Sequence, residues 1–87
     1  MKVKNIEGRS GPVRNQFIIT GDDGSETFQS YGSRIAVRDA AGKVTLDREK
    51  WNYSVTTGKY RNVFLGEKRA DTERKIASGE YILAELN

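Results

Sequence analysis

The sequence predicts a small α+β domain: an antiparallel β-meander of four or five strands, two short helices and a closing C-terminal strand, all in one domain spanning residues 1–87. Three observations predict it. Over the first half, apolar and polar residues alternate with a period of two and are interrupted by Gly, Asp and Ser clusters, as in half-buried strands joined by turns. Beyond Asp47 the period changes, with Tyr60, Val63 and Phe64 at i, i+3 and i+4 and Gly66 where a left-handed helix cap belongs. The chain then runs into YILAEL (81–86), apolar on both faces like a strand buried within a sheet.

Taken in order, KVKNI (2–6) edges the meander. VRNQFIIT (13–20) places Val13, Phe17 and Ile19 on one face and Arg14, Gln16 and Thr20 largely on the other. GDDG (21–24) supplies residues that tolerate positive φ, and SETFQSY after it completes a hairpin. Gly32 and Ser33 precede RIAVR (34–38), and Asp39–Gly42 is the turn before KVTLD (43–47). Asp47 caps a helical turn through REKW, and Trp51 and Tyr53 lay aromatic faces on the sheet. Thr57 caps the next helix; a strand over the same residues, with Tyr60, Asn62 and Phe64 on one side, stays open. Asp71 or Thr72 starts the last helix, TERKIAS, with acids in its first turn, Lys75 near its end and Gly79 as its stop. The expected core is Phe17, Ile19, Phe28, Ile35, Val37, Val44, Leu46, Trp51, Tyr60, Phe64, Ile76, Tyr81 and Leu83.

Composition narrows the chemistry. The chain has neither cysteine nor histidine, which removes disulfides, thiol nucleophiles, Cys/His zinc sites and imidazole acid–base catalysis. No cofactor or metal is expected, and no enzymatic activity. Apolar runs are a few residues long and MKVKNIEGRS has no apolar h-region, so the reading is a cytoplasmic protein with no membrane partner. A net charge of +3 leans toward anionic partners and argues against a mimic of DNA.

The most suggestive stretch is RxKWxY (48–53) followed by TTGKYRN (56–62). Arg48, Lys50, Lys59 and Arg61 stand against the single acid Glu49 and are interleaved with Trp51, Tyr53 and Tyr60. Cations pair with phosphates, exposed rings stack on unpaired bases, and a helix N-terminus at Thr57 offers free N–H groups to an anion beside Lys59. The structural alternative assigns the three aromatics to the core and the charges to a solvated surface. GRSG (8–11) resembles the Gly-x-x-Gly loop of KH domains, but its extended flanks point to a strand connection. GDDG lacks the partners of a metal site, and Ser54, Thr56 and Thr57 lack a base to make any of them a nucleophile.

WNYSVTTGKYRNVFLGE, with FQSYGSRIA upstream and TERKIASGEY downstream, resembles an uncharacterised family of short proteins encoded by bacteriophages and other mobile elements. In that family W-x-Y-S-x-T-T-x-K precedes a helical F-L-G segment and a K-I-x-x-G-E-Y close. The likeness runs from about Phe28 onward. It implies a phage or prophage accessory protein inside a bacterial host cell, and it brings no catalytic residues. Two functions follow as expectations. One is a non-catalytic nucleic-acid binder acting through Arg48, Lys50, Tyr53, Thr57, Lys59, Tyr60 and Arg61. The other is a protein-binding modulator of a host enzyme or defence complex using the same residues. Sequence leaves open whether the cations converge, and in what oligomeric state. Gly-x-x-Arg-Asn-x-Phe occurs twice, at 11–17 and 58–64, but once in a strand period and once in a helical one, which argues against a duplication.

Overall fold

A computed structural model describes residues 1–87. Five strands follow one another from the N-terminus: β1 (Lys2–Gly8), β2 (Gly11–Thr20), β3 (Glu26–Ser30), β4 (Ser33–Arg38) and β5 (Val44–Asp47). Two helices, α1 (Val55–Leu65) and α2 (Arg69–Ser78), lead to a short last strand, β6 (Ile82–Ala84). The α+β class stands, with six strands in place of four or five, in the spatial order β1-β2-β3-β4-β5-β6. The first five pair antiparallel through hairpins, whereas β6 runs parallel to β5, a pairing that needs a crossover and receives it from the two helices. YILAEL is therefore an edge and not an interior strand, and Ile82 is 40% exposed.

Alternation in β2 identifies two faces without saying which one the helices cover. Both faces are apolar there, since Ile18 opposes Phe17 and Ile19. The structure buries the unexpected one. Gln16 is fully buried and Ile18 packs on the core cluster, while Phe17 and Ile19 lie half-buried on the far face. Val37 joins them there, so these three expected core residues are replaced by Ile6 and Ala36. A break in the β1–β2 register adds to the irregularity: Asn5 pairs with Phe17 but Glu7 with Pro12, leaving extra residues of β2 opposite Ile6. Asn15 absorbs the distortion at φ 65°, a conformation its short amide tolerates, and its carbonyl accepts the Tyr31 N–H at 2.7 Å.

On the covered face, the row Ile18–Phe28–Ala36–Leu46–Leu83 crosses five strands and receives α1. The Phe64 ring stacks on Phe28 with centroids 5.9 Å apart, and the Arg38 guanidinium lies over the Phe64 ring at 4.6 Å while donating to the Phe64 carbonyl. Val63, expected in the same stripe, is 55% exposed. Asp47 does act as a cap: its Oδ2 accepts the N–H groups of Glu49 and Lys50, and its Oδ1 accepts that of Leu86.

The helix boundaries shift from those expected. Ser54, not Thr57, caps α1, its Oγ accepting the Thr57 N–H at 3.1 Å. The helix ends at Gly66, whose left-handed φ of 69° turns its N–H back to the Asn62 carbonyl as the sequence indicates. Helix α2 begins at Arg69, two to three residues before the expected start. Asp71 is the third residue of the helix and reaches back to the Lys68 N–H, a capping-box role in place of a capping one. A buried carboxylate ties this region together. Glu67 accepts from Thr72 Oγ1 at 2.6 Å, Lys75 Nζ at 2.7 Å and Tyr81 Oη at 2.8 Å, joining the α1–α2 turn to α2 and to the start of the last strand.

Candidate functional site

The turn at Gly66 folds α2 back so that the first turns of both helices border one open cleft of about 810 Å³. Tyr53, Ser54 and Val55 form one bank and Lys68, Arg69 and Ala70 the other, with Gly58, Lys59, Arg61 and Asn62 of α1 between them. Cations dominate. Lys59, Arg61, Lys68 and Arg69 face one acid, Glu73, which pairs with Arg69 at 3.0 Å. Lys59, Arg61 and Lys68 form no ion pair. The first turn of α1 contains no acidic residue, so the partial positive charge of that helix end is not offset by its own side chains.

Arg61 is the unusual member. It is the largest fully buried side chain in the protein, and its guanidinium is held by neutral acceptors only. Nη1 donates to the Trp51 carbonyl at 2.7 Å and to Asn52 Oδ1 at 3.0 Å, and Nη2 donates to Asn62 Oδ1 at 2.9 Å. The Trp51 ring flanks it at 5.1 Å. A guanidinium has five N–H donors, so these three bonds leave two free: Nε–H, which has no partner, and one N–H of Nη2. Burial first, and then the positive charge of Arg69, lower the Arg61 pKa from its ordinary value; the carboxylates of Glu67 and Glu73 act in the opposite direction. A guanidinium does not deprotonate under such pressure. What results is a fixed positive charge beneath the cleft, without a carboxylate in contact.

Gly58 completes the floor. It is a buried helical glycine with no positive φ, so its backbone does not require glycine. A Cβ there would stand 3.5 Å from Asn52 Oδ1 and 3.7 and 3.8 Å from Arg61 Nη1 and Nη2. Glycine keeps the surface low over the guanidinium.

The structure brings together three of the seven residues singled out from sequence: Tyr53, Lys59 and Arg61. Tyr53 is 48% exposed and available as a stacking surface. Thr57 faces the interior, its Oγ1 2.8 Å from Ser30 Oγ, and fastens α1 to β3. Tyr60 packs half-buried against the core, with Lys59 Nζ over its ring at 5.4 Å. Arg48 lies against β6, where its Nη2 donates to the Leu83 carbonyl, and Lys50 donates to Ser33 Oγ at the start of β4. Neither lines the cleft. Sequence reasoning missed Asn52, Gly58, Asn62, Lys68 and Arg69. Lys68-Arg69 directly after the Gly66 helix stop was the available signal, since a basic pair there must lie near the next helix start.

Fold and cleft together define a small α+β sheet protein with a cationic cleft between two helix N-termini. The chain belongs to DUF8033, a family of unknown function, whose model matches residues 1–80. No curated protein and no solved structure matches it.

Proposed function

We propose that the cleft binds the phosphate backbone of nucleic acid, single-stranded in the segment it grips, without catalysing a reaction. The observation that supports this is the buried Arg61 cation, held by neutral acceptors under a rim of Lys59, Lys68 and Arg69. A buried charge without a counterion is costly to maintain. An anion in the cleft supplies the missing charge, and the N-terminus of α1, which has no acid in its first turn, favours the same occupant. Phosphate contacts fix position without reading sequence, and the Tyr53 ring at the bank stacks on an unpaired base of any identity. The biological setting we assign, a phage or mobile-element accessory protein in the bacterial cytoplasm, rests on the resemblance carried by the Trp51–Tyr81 pattern.

The test is fluorescence anisotropy with a single-stranded oligonucleotide over a salt series. Binding should weaken log-linearly with salt, and Lys59→Ala should reduce the slope by about 0.7, one phosphate contact on a single strand. A slope near zero, or one unchanged by both Lys59→Ala and Lys68→Ala, would overturn the proposal. Capture of a host protein that survives nuclease and high salt would instead support the modulator reading.

A further inference from the structure

Arg61 does more than leave a charge beneath the cleft: it fixes which way two side-chain amides face. A guanidinium only donates hydrogen bonds, so the atom that touches it must be an acceptor. Asn52 therefore turns Oδ1, and not Nδ2, to Arg61 Nη1 at 3.0 Å, and Asn62 turns its Oδ1 to Nη2 at 2.9 Å. In each amide Nδ2 shares a planar carbon with that oxygen and is directed away from the guanidinium, whose own N–H groups repel it. Neither Nδ2 donates to any acceptor in the protein. Both residues border the cleft, Asn52 exposed and Asn62 half-buried, so their N–H groups are within reach of an occupant. An unrestrained asparagine can offer a ligand its oxygen or its nitrogen, but these two, with their oxygens engaged, offer only N–H. Gly58 between them adds no side chain, and Arg61 adds its remaining Nη2 hydrogen. The acid on the rim, Glu73, is engaged by Arg69 at 3.0 Å.

We infer that Asn52 and Asn62 hold the occupant directly, that Arg61 is the residue that positions them, and that the floor selects a tetrahedral oxyanion whose free oxygens carry no proton. An internal phosphodiester and a sulfate ion share that chemistry. This rests on the anionic occupant proposed above for the same cleft, and adds which atoms grip it and what they refuse. A ligand group that must itself donate, such as an amine or the N–H edge of a base, meets no side-chain acceptor on the floor. The phosphate therefore enters and the base stays at the bank beside Tyr53, in keeping with contacts that position a strand without reading it.

Side-chain amide signals in nitrogen–proton correlation spectra test this. Sodium sulfate is titrated in at constant ionic strength, and a single-stranded oligonucleotide in a second series. The Asn52 and Asn62 amide signals should shift saturably in both, while those of Asn5 and Asn87, which already donate to the Val13 and Arg34 carbonyls, stay in place. Asn62→Asp and Lys68→Gln lower the charge of the cleft by the same amount, but only the first also removes an amide donor and gives Arg61 a carboxylate. Sulfate affinity, followed at Asn52, should therefore fall about tenfold further in Asn62→Asp than in Lys68→Gln. Equal losses in the two variants overturn the inference, as do Asn52 and Asn62 signals that move in neither series. If the oligonucleotide binds while both amides stay in place, the inference falls and the nucleic-acid proposal stands. If sulfate moves both amides and the oligonucleotide does not bind, the inference stands and the nucleic-acid proposal falls.

Discussion

Gly58→Ala separates the stability of α1 from the openness of the cleft, because the two effects have opposite signs. Gly58 is the fourth residue of an 11-residue helix and has ordinary helical φ, so alanine fits the backbone. Alanine is favoured over glycine inside a helix by about 0.8–1 kcal/mol. The added Cβ meets its nearest atoms at 3.5–3.8 Å, which is van der Waals contact and not a clash. Its neighbours are polar, however, and a methyl against the Asn52 and Arg61 groups returns part of the gain. A net stabilisation of about 0.5 kcal/mol or slightly more should remain, raising Tm by roughly 2–6 °C for a domain of this size. The same methyl stands over the Arg61 guanidinium on the cleft side, and phosphate binding should fall at least fivefold. Thermal melts read the first effect and oligonucleotide anisotropy at fixed salt reads the second. A Gly58→Ala protein that melts lower would refute the packing argument, and one that binds as tightly as wild type would refute the role of the floor.

Three other outcomes follow from the same geometry. Glu67→Gln should cost about 2 kcal/mol in a denaturant titration, since it weakens three short bonds to one buried carboxylate; an unchanged midpoint would show the network to be idle. Burial raises the Glu67 pKa, but the bonds from Lys75, Thr72 and Tyr81 outweigh it and hold the group below its ordinary 4.5. Its contribution is therefore complete above about pH 4.5 and is lost as the pH falls through the lower folded value, so the gap between wild type and Glu67→Gln should close in acid. Parallel acid profiles for the two proteins would contradict this. Ser54→Ala removes the α1 cap and should lower stability by about 1 kcal/mol in chemical denaturation; an unchanged midpoint would refute the capping role of Ser54.

Features set by local chemistry were legible in the chain. The hairpin at GDDG, the Asp47 cap, the left-handed Gly66 and the Gly79 stop each depend on a few adjacent residues, and each is present in the structure. Lys59 and Arg61, singled out in sequence, both lie in α1 and both line the cleft. Errors arose where distant elements decide. Phe17, Ile19 and Val37 form as regular an apolar pattern as Ile18 and Ala36, and only the docking of α1 makes one face the core. Arg48 and Lys50 read as partners of Arg61 in sequence, yet the single turn after Asp47 directs one to β6 and the other to β4.

The sequence by itself determined the α+β class, the absence of thiol and imidazole chemistry and a mild excess of positive charge. Tertiary structure decided where that charge gathers. The Gly66 turn brings Lys68 and Arg69 across from Lys59, and the neutral acceptors from Trp51, Asn52 and Asn62 enclose Arg61 with no acid in contact. Periodicity records which residues share a face of one element, whereas a binding site depends on which faces of different elements meet. That choice rests on the balance of packing over the whole chain, and no single segment carries it.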